Sequence, residues 1–366
     1  MSKKRQSKKT ELRLRLMAEK VIKEIKKHEN PSVSIPVRSL SNVKFNEQKF
    51  IIEMGNETQR RYLFNVGQAK KFMQTMLIAS ACNKLVKSGK TTSIRDLYYM
   101  TKHTLGKSSQ NTFDNQNESD PIIEDVEVML DLLREELNLF ASNRGALVGD
   151  LVVEDSGDTI KCNKMGSGGW SVPSIVEDPV VKFKSHKAKF ILMVEKDAVW
   201  RRLNEDKFWK KYNCILVHGQ GMAPRGVRRL LYRLVNELKL PLYVFVDNDP
   251  WGFYIYSVIK QGSINLAYES KRMAVPSARF LGLSSFDKEH YKLPDNVTIK
   301  LNDQDKSRAK QILQYPWFQK KGWQKELKEM LRLGVKLELE ALSSKGISFV
   351  TEKYLPDKIK NKKWLD

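Results

Sequence analysis

LYVFVDNDPWG, residues 242–252, is the stretch that decides the fold of this chain. Its first five residues form a short apolar run of the kind found in buried strands of parallel sheets. Two similar runs, 190–194 and 214–217, precede it. Segments with helical character alternate with these runs: 197–211, 225–238 and 251–261. This alternation predicts an α/β layered domain.

Acidic residues directly follow two of these predicted strands. Glu195 comes after the first run, and Asp247 and Asp249 come after the run at 242–246. Ligands of open α/β sheets bind at the carboxyl ends of the strands, where these side chains can converge. Oxygen ligands without histidine or thiolate select hard cations, magnesium before zinc. The alternative is that the aspartates only cap the next helix, as Asp249 would. For all three residues together we predict metal binding.

The bulk composition indicates the class of partner. The 366 residues carry a formal net charge of +22, and a basic field of this size favours phosphate-rich partners, nucleic acid first. The alternative is a lysine-rich surface that serves solubility alone. With 41% hydrophobic residues the chain can bury a large core, and its length predicts about two domains.

Cysteine usage and the absence of apolar segments predict a cytoplasmic protein. The three cysteines lie far apart without a C-x-x-C pair, so neither a disulfide framework nor a zinc site is indicated. The charged start of the chain is followed by no apolar segment, which argues against a secretory signal. No apolar run approaches the length of a membrane span, and no membrane association is expected.

The segment TTSIRDLYYM, residues 91–100, contains a pair of tyrosines on a predicted helix. Ile94, Leu97 and Tyr98 form one apolar stripe, whereas Arg95 and Tyr99 are four apart on a different face, where they can meet. A phenol is protonated and a poor nucleophile at neutral pH. A neighbouring guanidinium favours the phenolate and can bind the phosphate under attack. We therefore predict Tyr98 in the core and Tyr99 as a nucleophile assisted by Arg95; the alternative is that both tyrosines only pack.

The amino-terminal region combines a basic tail, a helix and short strands. The helix, at about 11–27, carries an apolar stripe of four residues: Leu14, Ala18, Val21 and Ile25. A stripe of this kind can dock into a groove of a partner protein. It can equally pack on the next domain of its own chain, and the sequence leaves both possibilities open.

The following segment has the pattern of a winged-helix domain. A first helix ends at a glycine, and a second starts after Ser93, the first residue of a predicted capping box. After a polar loop, Asp120-Pro121 is expected to open a third helix that runs through 139–140. The hairpin 151–153 with 159–161 would be the wing. The predicted organisation is an amino-terminal region, a winged-helix domain, a linker and an α/β domain with a helical extension: 1–66, 67–165, 166–188 and 189–366.

A glycine-containing loop, HGQGMAPR at 218–225, connects a strand to an arginine-rich helix. Glycines allow close backbone approach, and a helix start attracts phosphate. We therefore assign DNA contacts to Arg225 and Arg228. The loop is not a P-loop, and the sequence shows no other ATP-binding signature. No nucleotide cofactor is predicted, and any energy coupling would come from elsewhere.

From about residue 70 onward, the motifs together resemble the A subunits of archaeal DNA topoisomerase VI, a family that includes the meiotic double-strand-break transesterases. The resemblance rests on the order and spacing of six motifs: RDLYY (95–99), GSGGWSVP (166–173), VEKDAV (194–199), DNDPWGFYIY (247–256), GSINLAYES (262–270) and ELEAL (338–342).

The resemblance implies a CAP-like winged-helix domain that carries the tyrosine, followed by a Toprim domain that binds Mg²⁺. In the family the second tyrosine of the pair attacks DNA, which agrees with Tyr99. The Toprim glutamate would be Glu195, and the D-x-D pair Asp247 and Asp249. The family often has lysine between the glycines of the strand–helix loop, where this chain has Gln220. A phosphate contact there would fall to the nearby arginines.

The implied activity is transesterification. Tyr99 would form a 5′-phosphotyrosyl link for transient double-strand breaks, with Mg²⁺ on Glu195 and Asp247 and a second ion on Asp249. The family implies a homodimer in which Tyr99 of one protomer meets the carboxylates of the other. It also implies a separate B-type ATPase subunit in an A2B2 heterotetramer, and places the amino-terminal region at the contact with that subunit.

Three other functions remain open. A related transesterase would break DNA without resealing it. A noncatalytic winged-helix DNA-binding protein would need neither Tyr99 nor the three carboxylates. A Toprim hydrolase, such as a nuclease or primase, would leave the RDLYY helix unexplained.

Overall fold

The computed structural model describes residues 3–178 and 180–366, which fall into two compact units. The first unit comprises the described residues up to Asn42 together with Met54–Ser142. The second comprises Val43–Glu53 and Asn143–Asp366. Each unit has its own core.

The described residues contain the following helices: α1 (Lys3–Lys26), α2 (Val66–Ser88), α3 (Ile94–Thr101), α4 (Gln116–Leu130), α5 (Asp197–Glu205), α6 (Phe208–Lys211), α7 (Arg225–Leu238), α8 (Pro250–Lys260), α9 (Ser270–Met273), α10 (Asp287–His290), α11 (Asp303–Gln314), α12 (Lys321–Leu333) and α13 (Leu355–Lys360). The strands are β1 (Ser32–Pro36), β2 (Val43–Asn46), β3 (Ile51–Met54), β4 (Thr58–Tyr62), β5 (Thr92–Ser93), β6 (Leu139–Phe140), β7 (Ala146–Gly149), β8 (Leu151–Asp155), β9 (Asp158–Lys161), β10 (Trp170–Ser171), β11 (Val181–His186), β12 (Phe190–Val194), β13 (Cys214–His218), β14 (Leu242–Phe245), β15 (Arg279–Gly282), β16 (Ile299–Lys300) and β17 (Val335–Lys336). None of the helices described is both long and apolar enough to cross a membrane.

Helix α1 packs on its own unit through part of the predicted stripe. Leu14 and Val21 are buried, and Leu14 joins the core formed by α2, α3 and α4. Ala18 is half-buried and Ile25 is exposed. Leu14 and Val21 therefore pack within this chain, which is one of the two possibilities that the sequence left open.

The start of α3 differs in detail from the predicted capping box. The Ser93 hydroxyl oxygen accepts a hydrogen bond from the Asp96 amide at 3.0 Å, as expected. In the other direction, the Asp96 carboxylate accepts from the Ser93 hydroxyl at 2.7 Å and not from a backbone amide. The helix start is therefore stabilised on one side by the predicted amide contact and on the other by a side-chain pair.

The third helix of the predicted winged-helix segment begins earlier and ends earlier than expected. Helix α4 starts at Gln116, so Pro121 lies inside it, and it ends where Asp131 adopts a left-handed conformation with φ 48°. A proline inside a helix removes one backbone hydrogen bond, and its ring crowds the carbonyl one turn earlier. Burial of Ile122, Ile123 and neighbouring apolar residues in the core offsets that loss. The prediction that Asp120-Pro121 opens the helix is therefore wrong.

The second unit is built on a six-stranded sheet with the order β10-β7-β13-β12-β14-β15. Strands β12 to β15 are parallel, β7 is antiparallel to β13, and β10 is antiparallel to β7. Every residue of β12, β13 and β14 is buried, which explains their uninterrupted apolar sequences. The predicted α/β fold class is confirmed.

The hairpin of β8 and β9 is not a wing of the helical unit. It forms a three-stranded sheet with β11 inside the second unit, and β7 joins the six-stranded sheet. Strands β10 and β11 also occupy the segment 166–188, which was expected to be a linker. The hairpin's local pattern does not reveal these partners, because strand pairing depends on residues distant in sequence.

Candidate active site

The two tyrosines of α3 lie on different faces of the helix. Tyr98 is only 6% exposed, and its hydroxyl donates to the Asp114 carbonyl at 3.1 Å. Tyr99 is 59% exposed. The predicted burial of Tyr98 is confirmed, and of the pair only Tyr99 presents a hydroxyl that a large substrate can approach.

Arg95 lies one turn before Tyr99 and is exposed. In the part of the chain that the structure describes, no hydrogen bond or ring contact joins these two side chains. The predicted contact between them is therefore not made here, although both residues stand on the solvent side of the helix. A guanidinium in this place can bind a phosphate brought to Tyr99.

Lys102 is a second cation beside the tyrosines, and it was not among the residues predicted from the sequence. Its ammonium donates to the Tyr98 hydroxyl at 2.9 Å and to the Asp114 carbonyl at 3.2 Å. The hydrogen bond to Tyr98 raises the pKa of Lys102, and the nearby Tyr99 acts in the same direction. Its position four residues after Tyr98, at the C-cap of α3, was the available signal, because residues four apart are neighbours on a helix.

Glu195 and Asp247 come together at the ends of neighbouring parallel strands. Val194 pairs with Phe245, so the residues that follow the two strands meet at one edge of the sheet. The Asp247 amide donates to Glu195 Oε2 at 3.2 Å. Asp247 is only 5% exposed, and its Oδ1 accepts from the Leu339 amide at 2.7 Å. These two carboxylates converge at the strand ends.

Asp249 has a structural role at the same edge. It is the N-cap of α8, and its Oδ1 accepts from the Gly252 amide at 2.6 Å. This is the capping arrangement that the sequence left open as the alternative. Among the described residues, no three His, Cys, Asp or Glu side chains stand together as a formed metal site.

The electrostatics of the carboxylate pair fit a hard cation. Burial, followed by the charge of Asp247, raises the pKa of Glu195 to about 7. Burial also raises the pKa of Asp247 to about 6, against the lowering effects of the Leu339 amide and Lys196. Burial likewise raises the pKa of Asp249. A divalent cation among these oxygens would offset both desolvation and mutual repulsion, so the donor set fits Mg²⁺.

Three further charged residues adjoin this pair and were not assigned a role from the sequence. Lys196 Nζ lies 3.1 Å from Asp247 Oδ2 and 3.4 Å from a carboxylate oxygen of each of Glu338 and Glu340. The two glutamates belong to the ELEAL motif, far from Lys196 in the chain. The distance in sequence between Lys196 and these glutamates gave no indication of this contact.

The loop at 218–225 is fixed against the strand that leads to Glu195. The Gly219 amide donates to the Val194 carbonyl at 2.9 Å, and the Gly221 amide donates to the Glu195 carbonyl at 3.2 Å. A Cβ at Gly219 would lie 2.2 Å from the Met193 side chain. That atom is the flexible end of the Met193 side chain, which a larger residue at 219 would displace, so the glycine marks close packing next to Glu195.

The two arginines assigned to DNA are engaged inside the second unit. Arg225 pairs with Glu269 at 3.1 Å and donates to the Tyr268 hydroxyl at 2.7 Å. Arg228 is buried, with 6% exposure. Neither side chain is presented on the surface in the way that the predicted phosphate contact requires. The apolar and ion-paired surroundings of α7 account for the difference, since these are not visible from the helix sequence alone.

The raised pKa values predict how the metal-free protein responds to pH. A carboxyl whose folded pKa lies above its unfolded value stabilises the fold below the unfolded pKa, and this stability is lost as pH rises through the folded pKa. For Glu195 the pKa window runs from its ordinary value of 4.5 to about 7. The loss is on the order of 3 kcal/mol. In EDTA, the melting temperature should therefore fall between pH 5 and pH 8.

Glu195→Gln isolates this effect because glutamine does not titrate. Its melting temperature should fall less over the same range than that of the unmodified chain. Glu205→Gln, a change at an exposed residue of α5, serves as the control and should behave like the unmodified chain. Equal pH dependence of the Glu195→Gln and unmodified proteins would contradict the assignment.

Comparison with known families agrees with these units. A family model described as type IIB DNA topoisomerase matches residues 70–139. The all-beta domain in the DNA topoisomerase VI alpha subunit matches 143–187, which contains β7 to β11. The Toprim domain of the topoisomerase 6 A subunits and Spo11 matches 190–359. The match at 143–187 agrees with the pairing of the hairpin outside the helical unit.

The chain is also similar over most of its length to proteins named as A subunits of type 2 DNA topoisomerase 6. It is 45% identical over 359 residues to that of Pyrococcus abyssi, covering 95% of this chain and 93% of the relative. It is 40% identical over 369 residues to that of Sulfurisphaera tokodaii, covering 96% and 95%. The A3 subunit of DNA topoisomerase 6 from Oryza sativa is 36% identical over 335 residues, covering 91% and 74%. With three family models in order and relatives this similar, the chain belongs to the family of DNA topoisomerase VI A subunits.

Proposed function

We propose that this chain is the DNA-cleaving subunit of a type IIB topoisomerase and makes transient double-strand breaks in duplex DNA. The observation that carries the proposal is the contrast within α3, where Tyr98 is packed and Tyr99 is exposed. Membership of the topoisomerase VI A family and the Glu195–Asp247 pair support the same activity. A noncatalytic DNA-binding protein would require neither feature.

The proposed reaction exchanges one phosphodiester for another. The phenolic oxygen of Tyr99 forms a bond to a backbone phosphorus, the bond from phosphorus to the 3′ oxygen breaks, and the phenolic proton ends on the 3′-hydroxyl. The product is a 5′-phosphotyrosyl link, and the reverse exchange reseals the strand. No water or nucleotide is consumed. Arg95 is the residue we assign to the phosphate at Tyr99, because both lie on the exposed side of α3.

Glu195 and Asp247 are the residues we assign to Mg²⁺, and Asp249 to a second ion. A bound Mg²⁺ would supply positive charge that stabilises the reacting phosphate and the leaving oxygen. The chain's own contribution is to hold both carboxylates at the same sheet edge, with Asp247 buried and Glu195 half-buried. The Leu339 amide donates to Asp247 Oδ1 and so orients this carboxylate.

The proposed assembly follows from the reaction. Two strands must be cut, so two copies of Tyr99 are needed and a two-fold homodimer is expected. The chain shows no ATP-binding signature, so ATP-dependent strand passage would require a B-type ATPase subunit in an A2B2 heterotetramer. The net charge of +22 suits duplex DNA as the substrate. We assign the complex to the cytoplasm, with its DNA.

The experiment that tests this function is relaxation of supercoiled plasmid. With Mg²⁺, ATP and a B-type subunit of the same family, the chain should relax the plasmid; neither protein should do so by itself. Reactions without ATP are the control for strand passage. Covalent breaks that are never resealed would favour the break-forming transesterase. Tight DNA binding without any protein–DNA adduct would contradict an enzymatic role altogether.

A further inference from the structure

A lysine occupies the acidic edge of the sheet. Lys196 follows Glu195 directly, and its ammonium lies 3.1 Å from Asp247 Oδ2. The same ammonium lies 3.4 Å from Glu338 Oε2 and 3.4 Å from Glu340 Oε2. One cation thus contacts three carboxylates, one of them a residue assigned to Mg²⁺.

The backbone fixes all parts of this cluster. Lys196 is the N-cap of α5, and its carbonyl accepts from the Trp200 amide at 3.0 Å. The segment with the two glutamates is tied to the Asp247–Asp249 turn by two backbone hydrogen bonds between Asn248 and Leu337, at 2.8 and 3.1 Å. The Leu339 amide donates to Asp247. The glutamates are therefore held in place by main-chain contacts that do not depend on Lys196.

The three carboxylates differ in exposure, and this difference separates their roles. The Asp247 side chain is 7% exposed, whereas those of Glu338 and Glu340 are 50% and 42% exposed. The buried carboxylate needs a cation because it has lost most of its hydration. The two exposed glutamates are hydrated on their own. An ammonium shared among them can leave Asp247 and still keep two anionic partners.

We propose that Lys196 is the resident cation of this site: it neutralises Asp247 when no metal is bound, and Glu338 and Glu340 retain it at the rim when Mg²⁺ displaces it. Lys196 is in this sense a positioning residue that acts through Asp247. The inference rests on the proposed function, in that Asp247 is taken to bind Mg²⁺. It adds a role for three residues that this function does not require.

The direct consequence is competition between an ammonium and a metal ion for one oxygen. Removing the ammonium should strengthen Mg²⁺ binding, since the site then carries one more net negative charge. Charges only a few Å apart in a partly buried site interact strongly, so the increase in affinity should be on the order of tenfold or more. If Lys196 only stabilised the fold, its removal would lower the free energy of unfolding and leave the affinity for Mg²⁺ unchanged.

Calorimetric titration of the full chain with Mg²⁺, at constant pH and ionic strength, measures this affinity without any cleavage. Asp247→Asn defines the signal that belongs to the site. Lys196→Met should bind Mg²⁺ more tightly than the unmodified chain, and Lys196→Arg, which keeps the charge, should not. Lys182→Met is the matched control because it removes a lysine paired with Glu154 at 3.0 Å, outside this cluster. If Lys196→Met does not fold, Lys196→Gln replaces it.

The role of the glutamates is tested by a double-mutant cycle. Glu338→Gln with Glu340→Gln should weaken Mg²⁺ binding, because Lys196 is then left with Asp247 as its anionic partner. The same pair of changes should have little effect when Lys196→Met is already present. An equal weakening in both backgrounds would mean that the glutamates act on the ion directly, which overturns their role in retaining Lys196.

The outcomes separate this inference from the proposed function. If the unmodified chain binds Mg²⁺, Asp247→Asn does not, and Lys196→Met binds with unchanged or lower affinity, the resident-cation role is overturned and the metal site stands. If the unmodified chain binds no Mg²⁺, or Asp247→Asn binds it equally well, the metal site itself fails, and this inference fails with it.

Discussion

Tyr99→Phe should abolish the covalent protein–DNA adduct, with a loss of cleavage rate on the order of a thousandfold or more, as expected when a nucleophile is removed. The change deletes one hydroxyl from a side chain that is 59% exposed. Folding and DNA binding should therefore be unaffected. The measurement is recovery of labelled DNA bound to denatured protein, in the presence of Mg²⁺ and a B-type subunit.

Tyr98→Phe is the matched control, because it makes the same chemical change at the neighbouring residue. The Tyr98 hydroxyl is bonded to the Asp114 carbonyl and to Lys102. Its loss should lower the free energy of unfolding by about 1 kcal/mol and leave substantial cleavage. An adduct that disappears in Tyr98→Phe and persists in Tyr99→Phe would refute the assignment of the nucleophile.

Glu195→Gln and Asp247→Asn should each remove Mg²⁺-dependent cleavage. Each variant keeps the size of the side chain but loses the charge that binds a hard cation. Both carboxyls have raised pKa values, mainly because they are buried, so the neutral variants should remain folded in EDTA. The measurement is adduct formation across a Mg²⁺ titration, with Glu205→Gln as a control that should cleave normally.

Asp249→Asn should reduce Mg²⁺-dependent cleavage less than Glu195→Gln or Asp247→Asn does. Asparagine is as good an N-cap as aspartate, so α8 should still begin where it does, and only the contribution to a second ion would be lost. Full cleavage by Glu195→Gln or Asp247→Asn at limiting Mg²⁺ would remove those residues from the metal site. If Asp249→Asn lost cleavage as completely as Asp247→Asn, all three carboxylates would be assigned to one ion.

The N-terminal stripe shows how tertiary contacts divide a single sequence pattern. Helical spacing places four apolar residues on one face of the helix: Leu14, Ala18, Val21 and Ile25. Of these four, Leu14 and Val21 are buried, and the other two are not. Periodicity identifies the face of a helix that can be buried. It does not identify how far the neighbouring element extends along that face.

The sequence by itself determined those features that depend on local periodicity. Uninterrupted apolar runs identified the buried strands that lead to Glu195 and Asp247, because strands covered on both faces have no polar side. Helical spacing separated Tyr98 from Tyr99, because residues on one face of a helix recur every three or four positions. Both inferences need no knowledge of distant residues.

Only the tertiary structure decided which distant residues became partners. The β8–β9 hairpin pairs with β11 in the second unit, Arg228 is buried, and Lys196 meets Glu338 and Glu340 at the edge of the sheet. Each outcome depends on strand register, on packing of one element against another, or on the meeting of charges far apart in the chain. These are properties of the folded arrangement. A local sequence pattern does not identify the distant partner, because the same hairpin, arginine or lysine is compatible with many partners.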